Sequence, residues 1–499
     1  MQDIPATRPR LDPSNPYCAI VKGWYDYGSF LLFVPEGSAL VQATVFLAGV
    51  TRDKLGELGW MEVMERRKAN YVVVRELDAG SFFSIRSALQ ERRTINPYSS
   101  AFYLVAFGDA SEKASLLAAR YPQFFAGIAL LGSSAGYEEL SGIGSLPAPE
   151  EDHSLDMVPL PLWVHPAAQG ALAYWKRVNG CLLRQGNRYA TIRRPDEDRD
   201  LGADIVVDEG NDLEGMLDFL FGKRRFPGLR DGNLRDADLP ESIGAQRHEA
   251  CFDGFNRVWY TYVPEHAKDK PLPLVLVLHG RGGEGGEFIG RSGWRHVSDE
   301  AGCITVYPTG SSGIDRPITY WNFYDHGKTP LFADDLSFLS QLVDRLCSEL
   351  PVDQSRIYLS GQSMGSMMSM AMALAYPDRY AASASSAGLL PGFMARLSQL
   401  VLRPGVPLRV SLGEFDAFAQ SNEPGKNDAV RWFLETLRAL SGAGEPEISM
   451  RGPDMDYICR DGQEQVRLWY TRVKGKTHAI LPSEVRGFWR WMRGYRLER

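Results

Sequence analysis

Three residue types that together perform nucleophilic acyl chemistry recur in order through the last third of the chain. They are the serine of "SGQSMGSMM", the aspartate of "LGEFDAF" and the histidine of "KGKTHAI". Ser363 lies in a GxSxG pattern, between Gly361 and Gly365, after the apolar run Arg356 to Leu359 and before a helical pattern. A sharp strand-to-helix turn lifts a hydroxyl clear of the backbone, and the flanking glycines let chain and substrate approach. The helix that follows points its free N–H groups and positive dipole end at a developing oxyanion. Serine needs a base, and the base needs an orienting acid.

His478 is the only histidine downstream of Ser363, and it lies between the last strand pattern and the final helix. Between the two, "PLRVSLGEFDAF" ends a strand and delivers Asp416 into the following loop, with Glu414 as the less favoured alternative because it lies closer to the strand end. "LVLVLHGRGGEGGEF" supplies the other half of an oxyanion hole, to which we assign the backbone N–H groups of Arg281 and Met364. The same glycines superficially suit a phosphate-binding turn. The run lacks the Lys-Ser/Thr of a P-loop and the dinucleotide spacing. A second GxSxG match, "GSSAG" from Gly132 to Gly136, is read as accidental, because a Gly/Pro loop and no helix is expected after Ser134.

These elements belong to a pattern that occurs twice. "SFLLFVPEGSALVQATVFLAGV" parallels "RVWYTYVPEHAKDKPLPLVLVLHGR", Trp60 and Trp294 each open a helical stretch, and "FYLVAFGDASEKASLLAARYP" parallels "IYLSGQSMGSMMSMAMALAYP". In each copy, runs rich in Val, Ile, Leu and Tyr alternate with longer helical patterns, which predicts βαβ units on a mostly parallel sheet. The fold class expected is α/β, with residues 1–230 as one domain, 231–246 as a polar linker and 247–499 as a second domain. In the first copy this alignment sets Ala110 at the nucleophile position and Ala48 in the place of His279, with no carboxylate or histidine at the other triad positions. Asp109, Ser111 and Glu112 at that corner have no base or metal cluster beside them. The first copy is therefore expected to be catalytically degenerate.

Composition sets limits on function. The chain has 499 residues, 44% of them hydrophobic and 23% charged, and a formal net charge of -7. That balance gives no reason to expect nucleic acid or an anionic membrane as a partner. No apolar run approaches the roughly 18 residues of a membrane helix. "MQDIPATRPRLDPSNPY" has no apolar leader pattern, so a cytoplasmic location is expected unless a leader was trimmed. The six cysteines are far apart and form no CxxC pair, and Cys303 and Cys347 fall in apolar patterns as buried thiols.

With "LVLVLHGRGGEGGEF", "GWRHVSDEAGCITVYPTG", "YWNFYDHG", "LSGQSMGSMM" and "AYPDRYAASASSAG", the span from Arg257 to Arg499 resembles the α/β-hydrolase esterases of the polyhydroxybutyrate depolymerase and feruloyl esterase branch. The resemblance implies two tandem α/β-hydrolase-like domains, the first without its chemistry. It also implies cofactor-free and metal-free hydrolysis of a carboxylic ester through an acyl-enzyme, with Ser363, Asp416 and His478 as the triad. It places Trp321 and Asn322, with His279, against the substrate; core aromatics are the alternative reading. Arg281 and Tyr320 stand where such depolymerases often carry cysteines, and Ser366 where a glycine is common. A small soluble acyl, feruloyl-like or hydroxyalkanoate ester is the expected substrate. A serine peptidase or acyl-peptide hydrolase is the alternative, and a non-catalytic binding scaffold a second. The partners expected are a small or oligomeric ester and the packing of the two halves on each other, with Trp24, Tyr25 and Tyr27 of the first half as candidates to shape the cleft and self-association of the whole chain left open.

Overall fold

The computed structural model describes residues 4–5, 22–35, 43–67, 69–91, 101–147, 154–191, 203–210, 212–226, 233–265, 270–311, 319–323, 333–392, 405–416 and 427–497. Two compact units divide the chain, Met1–Ala237 and Asp238–Arg499. The stretch 231–246, expected as a linker, is structured in part. Its residues Asn233–Asp236 form a strand antiparallel to Lys223–Phe226, and Ile243 and Ala245 pack against a core cluster of the second unit.

The first unit contains strands β1 (Ile4–Pro5), β2 (Gly23–Asp26), β3 (Phe30–Val34), β4 (Thr44–Ala48), β5 (Asn70–Val74), β6 (Phe102–Phe107), β7 (Gly127–Leu131), β8 (Leu162–Val164), β9 (Cys181–Gln185), β10 (Arg188–Thr191) and β11 (Ile205–Val207), and the antiparallel pair just given is β12 and β13. The second unit contains β14 (Gln246–Phe252), β15 (Phe255–Tyr262), β16 (Leu272–Leu278), β17 (Ile304–Pro308), β18 (Val352–Gly361), β19 (Ala382–Ser386), β20 (Leu408–Gly413), β21 (Glu447–Arg451), β22 (Asp454–Arg460) and β23 (Val466–Val473). Its sheet runs β14-β15-β17-β16-β18-β19-β20-β23-β22-β21, and the first unit's runs β1-β2-β3-β5-β4-β6-β7-β8-β11-β10-β9. Apart from the short β1, the two orders are the same: an antiparallel start, a parallel middle with one crossing of strand order, and a closing hairpin.

The reason lies in the residue pattern. Every residue of β16, "LPLVLVL", is buried, as a strand covered by helices on both faces must be. The helix Asp335–Glu349 buries Phe338, Leu339, Leu342, Val343 and Leu346 on one stripe, and Asp334 caps it by accepting the Ser337 N–H at 3.0 Å. The equivalent helices Trp60–Arg66 and Trp294–Ala301 each follow a left-handed glycine, Gly59 and Gly293, both at φ 75°. Both units are thus α/β, each a mostly parallel sheet flanked by helices, with α/β-hydrolase-like strand order.

A buried charge pair ties the second unit together. Arg257 on β15 lies 2.6 Å from Asp335, and both side chains are essentially inaccessible. Asp335 also accepts from the Ser311 hydroxyl at 2.9 Å and the Asn322 N–H at 2.7 Å. Burial pushes its carboxyl above the ordinary range, against the pull of Arg257.

Candidate active site

Ser363 sits between β18 and the helix Met364–Ala375 with φ 57° and ψ -119°, a conformation that costs a non-glycine residue about 1–3 kcal/mol and persists only where its surroundings impose it. Those surroundings are crowded backbone. A Cβ on Gly365 would stand 2.1 Å from the Leu278 carbonyl, one on Gly361 would stand 2.5 Å from Gly365, and one on Gly388 would meet the Ser363 carbonyl at 2.1 Å. The Ser363 N–H donates to the Ser386 carbonyl at 2.9 Å, which fixes the elbow on the end of β19. Ser366, where a glycine is common, donates its hydroxyl to the Gly388 carbonyl at 2.6 Å.

The loops after β20 and β23 bring the other two residues together. Nδ1 of His478 and Oδ1 of Asp416 are 2.8 Å apart, with Asp416 almost fully buried and His478 partly exposed. Glu414 is held elsewhere, its carboxylate accepting from Lys474 Nζ at 2.7 Å and the Gly475 N–H at 3.0 Å. Desolvation raises its pKa, and these contacts together outweigh that effect and hold it below the usual carboxylate range. Gln362, next to the serine, donates Nε2 to the His478 carbonyl at 3.2 Å.

The His279–Gly283 turn passes beside the serine, since a Cβ on Gly280 would lie 3.8 Å from Ser363 Oγ. Met364 N–H stands at the first helical position, where no intrahelical acceptor exists. The turn is closed by Gly283 N–H donating to Gly280 and Gly282 N–H donating to Thr319, while Arg281 is exposed.

The structure buries Trp321, Asn322 and His279, the residues for which a substrate-facing position is implied. Trp321 and His279 are fully buried, and Trp321 donates Nε1 to the His279 carbonyl at 2.7 Å. His279 accepts the Gly310 N–H at Nε2, 2.9 Å away, and faces the Gly280 carbonyl through Nδ1 at 2.7 Å. These contacts fix the Nδ1–H tautomer, and burial lowers its pKa to about 4. Asn322 donates Nδ2 to the Ala333 carbonyl at 2.8 Å. Trp321 thus braces the start of the turn, and Asn322 is tied to the segment that leads into the helix Asp335–Glu349. An aromatic–Asn pair reads alike in a cleft or a core, and only burial separates the two.

In the first unit the register at the corner also differs from expectation. Gly108, at φ 52°, holds the backbone position of Ser363. Its N–H donates to Leu131 as Ser363 does to Ser386, and its carbonyl accepts from Ser111 as that of Ser363 does from Ser366. Ala110 is two residues too late, and the pairing of β4 with β6, compared with that of β16 with β18, makes Gly49, not Ala48, the equivalent of His279. Asp109 is in ordinary helical conformation. The run after Ser134 begins with a helix, Tyr137–Gly144, where a loop is expected, but the Ser134 hydroxyl is engaged by Ala135 and Ala171. Trp24 and Tyr25 are buried, and Tyr27 stacks on Phe30 at 4.7 Å. Cys303 is buried and Cys347 is partly so; Cys18 lies outside the described residues. Among the described residues no group of His, Cys, Asp and Glu is arranged to hold a metal ion, and no helix is long and apolar enough to cross a membrane.

Strand order, elbow and histidine loop define the second unit as an α/β-hydrolase-like domain. Residues 256–432 match the Esterase family model, described as putative esterase. The chain is 28% identical to feruloyl esterase B of Talaromyces funiculosus over 131 residues, which is 26% of this chain and 36% of that protein. It is 31% identical to the acetylxylan esterase of Coprinopsis cinerea over 140 residues, 27% of this chain and 36% of that one. It is also 31% identical to poly(3-hydroxyalkanoate) depolymerase C of Paucimonas lemoignei over 116 residues, 23% and 28% of the respective chains. The chain thus spans about a third of the length of the curated relatives it matches. Among solved structures, acetyl xylan esterase from Aspergillus awamori aligns with 50% of this chain and 98% of its own, at 18% identity and a TM-score of 0.39. The family match and the curated relatives bear out the resemblance of the second unit to esterases of these kinds.

Proposed function

We propose that this protein is a serine carboxylic-ester hydrolase whose chemistry is confined to Ser363, His478 and Asp416. The observation that carries this reading is the 2.8 Å contact of His478 Nδ1 with Asp416 Oδ1, on loops beside a serine held at positive φ. Asp416 keeps the imidazole in the tautomer whose Nε2 lone pair accepts a proton. Ser363 Oγ attacks the ester carbonyl carbon and passes its proton to His478 Nε2. The carbonyl oxygen becomes an oxyanion before the N–H groups of Arg281 and Met364, the ester C–O bond breaks, and His478 returns the proton to the departing alcohol. Water then attacks the acyl-enzyme by the same route, releasing the acid and restoring Ser363. No step calls for a cofactor. The names of the relatives favour acetyl or feruloyl esters over amides.

The first unit has only a glycine, Gly108, at the elbow position, so we place it outside the chemistry, as a degenerate copy of the fold. A fluorophosphonate probe tests the reading: one adduct, mapped to Ser363, is expected, with turnover of p-nitrophenyl acetate or methyl ferulate. Ser363→Ala should lower kcat on the order of 10⁴- to 10⁶-fold. An adduct on another serine, or ester turnover undiminished in that variant, would overturn the assignment. Cleavage of aminoacyl-arylamides without cleavage of either ester would make the enzyme a peptidase.

A further inference from the structure

Beneath the histidine loop lies a buried charged cluster that the triad does not use. Lys476, wholly inaccessible, directs its ammonium at three acceptors: Glu484 Oε1 at 2.6 Å, Ser386 Oγ at 2.7 Å and Ser411 Oγ at 3.2 Å. All three of its hydrogens are thereby used. Ser411 donates to Glu484 Oε1 at 2.5 Å, Ser386 donates to the Ala479 carbonyl at 2.8 Å, and Glu484 Oε2 accepts the Leu481 N–H at 2.9 Å. The loop that carries His478 is therefore held on both sides of the histidine, at Lys476 before it and at Ala479 and Leu481 after it.

The same cluster reaches the other two triad residues through the backbone. The Ser386 carbonyl receives the Ser363 N–H at 2.9 Å, and the Lys476 carbonyl receives the N–H of Phe415, next to Asp416, at 2.9 Å. A Cβ on Gly413 would meet the Lys476 and Thr477 carbonyls at 2.3 and 2.5 Å, so the strand bearing the Asp416 loop lies directly against this segment.

We propose that Lys476 and Glu484, through Ser386 and Ser411, are positioning residues that fix the imidazole of His478 in register with both Asp416 and Ser363. The pair touches no substrate. It sets the relative placement of three loops that no continuous element connects, and a misplacement of about 1 Å in such a group costs on the order of 100-fold in rate. The proposal rests on the reading of Ser363, His478 and Asp416 as a triad.

The test compares Lys476→Met, Glu484→Gln and the double variant Lys476→Met/Glu484→Met with wild type on p-nitrophenyl acetate, together with their thermal midpoints. Each single variant is expected to lower kcat by about 10- to 100-fold with KM within a few-fold. The double variant, which leaves no unpaired buried charge, should regain stability while kcat stays low, because the double substitution leaves no polar side chain at either position to hold the loop. A merely structural pair would recover rate and stability together, and that result would overturn the proposal. If Lys476→Met does not fold, Glu484→Gln and the double variant decide, since the amide introduced by Glu484→Gln keeps an acceptor for the Leu481 N–H. A wild-type protein inactive on the ester would instead sink the triad reading, and this proposal with it.

Discussion

Nδ1 of His478 lies 2.8 Å from Oδ1 of Asp416, while Glu414, two residues nearer the strand, faces away to Lys474 and Gly475. Which carboxylate faces the imidazole is thus decided by one loop's path. Asp416→Asn should lower kcat about 10⁴-fold, because the amide would hold the wrong tautomer. Glu414→Gln should leave kcat within a few-fold of wild type. Steady-state kinetics of the two variants checks this directly, and a reversed order would reassign the acid.

The elbow tolerates no side chain at Gly365, whose Cβ would stand 2.1 Å from the Leu278 carbonyl and 2.5 Å from that of His279. Backbone cannot move aside as a side-chain tip can. Gly365→Ala is expected to lose about 1–3 kcal/mol of stability and most of its activity. Gly462, with nothing within 4 Å of its would-be Cβ, is the control: Gly462→Ala should stay within about 0.5 kcal/mol. Chemical denaturation measures both, and equal losses would remove the steric argument.

His279 makes a contribution to stability that depends on pH. Its pKa is lowered by burial to about 4, below the ordinary histidine value near 6.5. Between those values the unfolded chain binds the extra proton and the folded chain does not, so stability rises with pH. The contribution is fully present above about pH 6.5 and is lost as pH falls toward 4, an amount of roughly 3 kcal/mol. Glu284, half-buried, has a carboxyl that desolvation pushes up to about 7 and acts in the opposite sense. Comparison with His279→Gln isolates the histidine: the stability advantage of wild type over the variant should shrink on acidification from pH 7 to 4.5, and a constant difference would contradict the assignment.

The Arg257–Asp335 pair is inaccessible at both ends. Arg257→Met leaves a buried carboxylate without its cation and should cost about 3–5 kcal/mol. Adding Asp335→Asn should cost less than the sum of the two single changes, because the second substitution removes the charge that the first left unpaired. A double-mutant cycle by urea unfolding reads the coupling, and strict additivity would argue against it.

Gly108 at the first unit's corner has the backbone of a nucleophile elbow and no side chain. Gly108→Ser in a Ser363→Ala background is expected to remain unlabelled by a fluorophosphonate, since the segments after β8 and β11, "HPAAQGALA" and "DEGNDLEG", bring no histidine–carboxylate pair in the order the chemistry needs. Adduct formation on that serine would show a second competent site.

How far the sequence speaks depends on the range of the interactions involved. Strand-turn-helix periodicity is local, so the α/β class, the elbow at Ser363 and the Ser–Asp–His order follow from the residues alone. So does the repeated pattern that predicts two similar units. What needed the fold were the questions settled by distant neighbours. Trp321 and His279 are buried against each other and against Gly310, residues far apart in the chain, which no local pattern encodes. The register of Gly108 follows from which carbonyl its N–H meets on the next strand. Lys476 and Glu484 left a faint trace, a lysine two residues before His478 and a Pro-x-Glu start to the last helix, of the kind that caps an N-terminus. Their meeting with Ser386 and Ser411 is a product of parallel strands placing four separate chain segments side by side. The sequence by itself determined which residue types could do the chemistry and in what order. The tertiary structure alone decided which carboxylate faces the histidine, because that choice is made across 62 residues of chain by packing.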